Sequence, residues 1–224
     1  MRAISYGVIM GGSAAVDPGR RVRNKQEKLD RIFRSAADLF AVKGFGAVST
    51  QEVSERADVA AGTLFRYAAS KGELLLMVYN EELRQALADG RQRADDRDDA
   101  VDAVVEMVLP ILERADGSPE NSAMYQREML FGSPDEQYRR EGLTQIAQLE
   151  RGIADRLVDE AQRRGLRADS DAALLAAVTV FAAIHLTVAR FSTGAHSHRD
   201  LVSDLRTQIA QVAAGYWAAL ESAA

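Results

Sequence analysis

"STQEVSERADVAAGTLFRYAASKGELL", residues 49–75, packs small residues between two helix-like segments, with aromatics at Phe65 and Tyr67 and a lone Lys71. Ser49 and Glu52 have the spacing of a capping box, so a short helix starts there and runs to about Arg56 with Val53 facing inward. "ADV" then turns the chain, and a second short helix covers about Ala61 to Tyr67. Ser70 caps a much longer helix that carries Leu74, Leu75, Val78 and Leu87 to about Arg93. Two short helices joined by a tight turn, behind a longer one, form a helix-turn-helix, whose second short helix can enter a DNA major groove.

The longer helix lies upstream. From Lys25, the residues Leu29, Ile32, Phe33, Ala36, Ala37 and Phe40 recur at three- and four-residue steps on one face. "KGFG" stops it, with Gly44 suited to a left-handed position and Phe45 folding back as its apolar contact. "RRVRNK" precedes it as a basic arm, and residues 1–19 show no periodicity and read as a flexible extension. Downstream, helices are expected at about 100–113, interrupted by Pro110, then over "SAMYQREMLF", and at about 135–164, 171–192 and 198–221. The chain thus reads as all-α, without repeats.

Charge divides along the same line. Through Lys71 the chain has 12 Lys and Arg against 7 Asp and Glu, and the remainder has 16 against 26. A basic N-terminal part on an acidic chain of net charge -5 suits a polyanion that only the first part meets. The absence of cysteine excludes disulfides, thiolate catalysis and Cys-type zinc sites. No G-x-S-x-G elbow, P-loop or H-E-x-x-H occurs, and no cofactor or enzymatic activity is expected. His196 and His198 flank Ser197 in a loop without a third ligand at regular spacing, so no metal is expected there. "AALLAAVTVFAAIHLTVA" comes closest to a membrane span, but its alanines and His185 suit a buried helix better. The expected location is the cytoplasm.

From about Lys28 to Leu75 the chain resembles the DNA-binding domain of TetR-family transcriptional regulators. The matching residues are "AADLFAVKGF", then "ST" with Val53, then "ADVAAGTLFRYAASK". The resemblance implies a DNA-binding domain over residues 20–72 and an effector-binding and dimerisation domain over 73–224. Ala61, Gly62 and Thr63 are small enough to press against base edges, and Arg66 can reach guanine or phosphate. By the resemblance, Thr50, Phe65, Tyr67 and Lys71 match positions that hold phosphates, and Gln51 one that also reaches bases. The alternative for Phe65 and Tyr67 is core packing, and for Lys71 a solvated cation. The chain departs from the family pattern at Asp58, Ala60, Phe65 and Ala68, where a turn glycine, a capping serine, a tyrosine and a phenylalanine are usual. Asp tolerates the left-handed turn, and Ala60 forgoes a cap worth about 1 kcal/mol.

Past residue 75 the resemblance is one of pattern. "RRGLRADSDAALLAAVTVFAAIH" is similar to the family's entry into its last two helices, which pair two subunits as a four-helix bundle. That implies a homodimer and an operator of inverted repeats in double-stranded DNA. Tyr216 and Trp217 are candidate interface anchors, with intrachain core as their alternative. The implied effector pocket draws on Met107, Met124, Tyr125, Met129, Phe131, Ile146, Leu149, Ile153 and Phe181, a lining that suits a hydrophobic or aromatic molecule. His185 is either its one orienting polar group or a satisfied core histidine. A second reading stays open: a helical small-molecule-binding protein or enzyme that no longer binds DNA.

Overall fold

The computed structural model describes residues 18–195 and 198–223; most of the N-terminal extension and His196 of the histidine loop lie outside them. Among the described residues the fold is entirely helical: α1 (Pro18–Ala47), α2 (Thr50–Arg56), α3 (Ala61–Leu64), α4 (Lys71–Asp95), α5 (Ala100–Gly117), α6 (Pro119–Phe131), α7 (Gln137–Arg163), α8 (Ser170–Thr193) and α9 (Leu201–Ser222). The basic arm is part of α1, which begins at Pro18 rather than near Lys25. A proline in the first helical turn forfeits no hydrogen bond, so the helix extends outward although its early residues, such as Val22, are exposed.

The turn chemistry decides how α1 to α4 fold. Gly44 breaks α1 at φ 75°, ψ 164°. The positive φ is as expected, but this ψ lies outside the left-handed helical region, in territory that only glycine occupies cheaply. Phe45 folds back and stacks on Phe40 with ring centroids 5.9 Å apart. The Ser49 hydroxyl accepts from the Glu52 amide at 3.1 Å. The Glu52 carboxylate meanwhile pairs with Lys43, so half of the expected capping box is replaced by a tie to α1. Ser70 and Glu73 make the fuller box: the Ser70 hydroxyl accepts from the Glu73 amide at 2.9 Å, and a Glu73 carboxylate oxygen accepts from the Ala69 amide at 2.6 Å.

Two apolar cores result. One gathers Ile32, Leu39, Phe40, Val53, Leu64, Leu74 and Leu75 from α1 to α4 and reaches Met129 of α6 and Tyr138 of α7. The other is built from α5, α7, α8, α9 and the second half of α4, around Val104, Ile153, Leu157, Ile184 and Ile209. Helix α4 runs through both, so it is the rod that joins them. Pro110 lies inside α5, which continues through it to Gly117 instead of ending.

Two expectations for the last helices change. Tyr216 and Trp217 are intrachain core, each 6% exposed. The Tyr216 hydroxyl donates to the Asp169 carbonyl at 3.1 Å, the Trp217 indole donates to the Leu157 carbonyl at 3.3 Å, and Arg164 covers the indole face. Helix α8, long and apolar enough to cross a membrane, is buried along one face only. Ala173, Ala177, Val180 and Ile184 face inward, while Leu174, Leu175, Val178 and Leu186 are exposed.

Candidate nucleic-acid interface and ligand cavity

The α2–α3 turn depends on Asp58, which has φ 52°. Its backbone is left-handed as the sequence reading required, and its carboxylate pairs with Arg31 of α1 at 3.1 Å. The Val59 amide reaches back to the Ser54 carbonyl at 3.0 Å and closes the C-terminus of α2. Ala60 caps α3 with its backbone alone, so among the described residues no side chain satisfies the free amides at that end. Those amides and the small residues behind them remain open to a phosphate or a base edge.

On α3, Leu64 is fully buried, and this fixes which face turns outward. Ala61, Gly62, Phe65 and Arg66 are exposed, and Thr63 is half-buried beside them. A Cβ built on Gly62 would meet no atom within 4 Å, so among the described residues nothing fills the space in front of it. Gln51 is exposed and donates to Glu55 at 2.9 Å, while Thr50 is half-buried at the first turn of α2. Phe65 is 48% exposed, which removes it from the core. Tyr67 is half-buried, and its hydroxyl donates to the Lys25 carbonyl at 3.3 Å, tying the end of α3 to α1.

Lys71 has more partners than a solvated cation would. Its ammonium donates to the Val48 carbonyl at 2.8 Å and the Gly46 carbonyl at 3.4 Å, and it lies 4.2 Å from the centre of the Phe45 ring. It closes the α1–α2 turn. An ammonium has three donors, so one is still available to an outside acceptor.

The second feature is a cavity of about 90 Å³ between α4, α5, α6, α7 and α8. Its walls include Tyr125, Met129, Ile146, Leu149, Phe181 and His185 from the sequence reading. Met107, Met124, Phe131 and Ile153 do not line it. Ile153 and Met107 are buried in the core built from α5, α7, α8 and α9, Met124 packs against the other core, and Phe131 at the end of α6 is 81% exposed. These helices are apolar on more than one face, and spacing alone does not say which face meets a void. Burial lowers the basicity of His185, so its imidazole is neutral near pH 7.

Residues missed by the sequence reading complete this wall. Tyr79, Glu82, Leu83 and Ala86 of α4 and Arg114 of α5 all face the cavity. Tyr79 and Tyr125 stand with ring centroids 5.8 Å apart. The Tyr79 hydroxyl lies 3.1 Å from that of Ser118, and the Tyr125 hydroxyl donates to Asn80 at 2.9 Å. Burial pushes both phenols' pKa values up, so they stay protonated. Asn80 in turn donates to the Tyr138 carbonyl at 2.7 Å, and Asn121 donates to the Phe40 carbonyl of α1 at 2.9 Å. A polar residue inside an apolar helical run, such as Asn80 within "LLLMVYNEEL", was the available signal.

Residues 32–78 match the model of the bacterial regulatory proteins of the tetR family. Over this segment the chain is similar to tetR-family regulators. Two relatives, each called HTH-type transcriptional repressor KstR, come from Rhodococcus jostii and Mycolicibacterium smegmatis. The first is 37% identical over 67 residues, covering 30% of this chain and 32% of the relative. The second is 38% identical over 74 residues, covering 30% of this chain and 36% of the relative. The matched segment therefore spans about a third of either relative's length.

Among solved structures, a TetR transcriptional regulator from Rhodococcus sp. RHA1 superposes with a TM-score of 0.63 at 20% identity, covering 84% of this chain and 97% of that one. Thermus thermophilus FadR, a TetR-family repressor in complex with lauroyl-CoA, gives 0.66 at 23% identity, covering 82% and 92%. At such identities the likeness is one of fold. The likeness reaches beyond the helix-turn-helix to the helices that enclose the cavity.

Proposed function

We propose that this chain is a TetR-family transcriptional repressor that acts as a homodimer on an inverted-repeat operator and is released by a small, mostly apolar effector in the cavity. The observation that carries the reading is the outward face of α3, where Ala61, Gly62, Phe65 and Arg66 stand exposed on a helix anchored from behind by Leu64. Small residues allow close approach to the groove, and Arg66 supplies the long polar reach. Thr63 joins them, with Thr50, Tyr67 and Lys71 at the flanks as backbone-positioning contacts and Gln51 beside them, able to reach bases as well. The family-model match over residues 32–78, which include α3, and the similarity to two repressors support the reading.

In this reading residues 20–72 are the DNA-binding head and residues 73–224 the effector-binding and dimerisation body. The exposed apolar face of α8 supports dimerisation, since Leu174, Leu175, Val178 and Leu186 would otherwise meet water. The protein would work in the cytoplasm, beside its DNA, and would carry out no catalysis. To release DNA, the effector must bind the DNA-free shape more tightly than the DNA-bound one.

Selection of bound sequences from a random DNA pool, followed by titration of salt, tests this. A recovered inverted repeat whose complex weakens steeply with salt is the expected result. Recovery of no preferred sequence, with only weak general affinity, would overturn it in favour of a ligand-binding protein that has lost DNA binding.

A further inference from the structure

Among the described residues, two charged ones stand in the cavity wall, Glu82 and Arg114. Arg114 is already committed: it pairs with Asp89 at 2.7 Å and donates to the Pro110 carbonyl at 3.2 Å. Three further polar groups of the wall are also engaged. Tyr125 bonds Asn80, Tyr79 bonds Ser118, and Gln126 donates to the His185 carbonyl at 3.0 Å. His185 presents a ring kept neutral by burial, 6.0 Å from the ring of Phe181. Glu82 is different. It is half-buried, and it makes no hydrogen bond or ion pair among the described residues.

A carboxylate beside an apolar void is poorly placed unless something pairs with it. Burial raises the Glu82 pKa, opposed by Arg114 at longer range, and its charge acts through space on both Tyr79 and Tyr125. The faces of Tyr79, Tyr125 and Phe181 around the same void are surfaces that attract cations. We infer that the effector is a lipophilic cation, an apolar body carrying a protonated amine or a similar donor that pairs with Glu82. This deepens the reading of the cavity as an effector site and rests on it. A ligand ending in a carboxylate would set its anion against Glu82, with Arg114 held away by Asp89. The cavity volume of about 90 Å³ also favours a small ligand, or one that displaces the flexible Met129.

The test is direct calorimetry on the DNA-free protein with three probes of equal chain length: hexylammonium, hexanol and hexanoate. The expected order is hexylammonium tightest and hexanoate weakest. Glu82→Gln should weaken hexylammonium at least about tenfold while leaving hexanol nearly unchanged. If hexanoate binds as tightly as hexylammonium, or Glu82→Gln leaves the order intact, the charge assignment falls and the cavity reading stands. If none of the three binds, the cavity is not a ligand site, and both readings fall.

Discussion

The hydroxyl of Tyr125 donates to the side-chain oxygen of Asn80 at 2.9 Å, and the Asn80 amide in turn holds the Tyr138 carbonyl at 2.7 Å. A cavity wall residue on α6 is thereby linked through α4 to the first turn of α7. Gly142 lets these parts approach, because a Cβ there would stand 2.0 Å from the Met129 methyl and 2.7 Å from the Asn80 oxygen. Tyr125→Phe leaves the Asn80 oxygen without its donor and should cost about 1–2 kcal/mol of stability. It should also reduce effector-driven DNA release more than effector binding itself. Thermal melts with paired binding and release titrations check this, and an equal loss in both titrations would remove Tyr125 from the coupling.

A second prediction separates Lys71 from Arg66. Lys71 closes the α1–α2 turn through the carbonyls of Gly46 and Val48, so Lys71→Ala should lower the melting temperature and weaken all DNA sequences alike. Arg66, exposed on α3, should affect stability by less than about 0.5 kcal/mol when changed to Ala, and should alter sequence preference instead. A change in preference with Lys71→Ala, at unchanged melting temperature, would reverse the two roles.

Much of the head was legible because its turns are specified by local chemistry. Ser49, Asp58 and Ser70 each act within a few residues of themselves, and the structure has them where capping and turn rules put them. Glu52 was the exception: its partner is Lys43, 9 residues back on another helix. The cavity was half legible. Tyr125 and Phe181 face it, but Ile153 is fully buried among Leu157 and its neighbours, and Phe131 points away. A void is set by how several helices splay, and no one helix's periodicity encodes that. Tyr216 and Trp217 teach the same lesson, since their partners Asp169 and Leu157 lie 47 and 60 residues away.

The contact between Ser70, which caps α4, and Glu136, which precedes α7, has its own pH dependence. One Glu136 carboxylate oxygen accepts from Ser70 at 3.2 Å, and the other is buried with no partner among the described residues. Burial raises its pKa above the ordinary 4.5; the Ser70 bond opposes this, nearby Glu73 and Glu128 add to it, and Arg139 partly offsets it. A carboxyl with a raised folded-state pKa favours folding below its unfolded value, and that contribution is lost as pH rises through the folded value. Glu136→Gln keeps an acceptor for Ser70 and removes the ionisation. It should raise the melting temperature by about 1–3 °C near pH 7.5, and the gain should vanish near pH 4, where Glu136 is itself protonated. A gain that is the same at both pH values would mean that charge is not the cause.

The last prediction concerns the face of α8 that the body leaves open. Leu175 is 69% exposed and Leu186 54%, with Leu174 and Val178 on the same helix also exposed, so the apolar surface is continuous along several turns. Arg190 nearer its C-terminus is within 3.7 Å of Asp204 on α9, so the two helices are held together before any partner arrives. A second copy offering the same face would bury both stripes, and a two-fold arrangement of this kind presents two α3 helices to one side of DNA. Leu175→Glu places a charge at the centre of that contact while leaving the buried face of α8 (Ala173, Ala177, Val180 and Ile184) untouched. The variant should keep its helical circular dichroism, sediment as a monomer at micromolar concentration, and lose binding to a full inverted repeat far more than to a half-site. If it remains a dimer with full operator affinity, the subunits meet through another surface, and α8 exposes its leucines for some other partner.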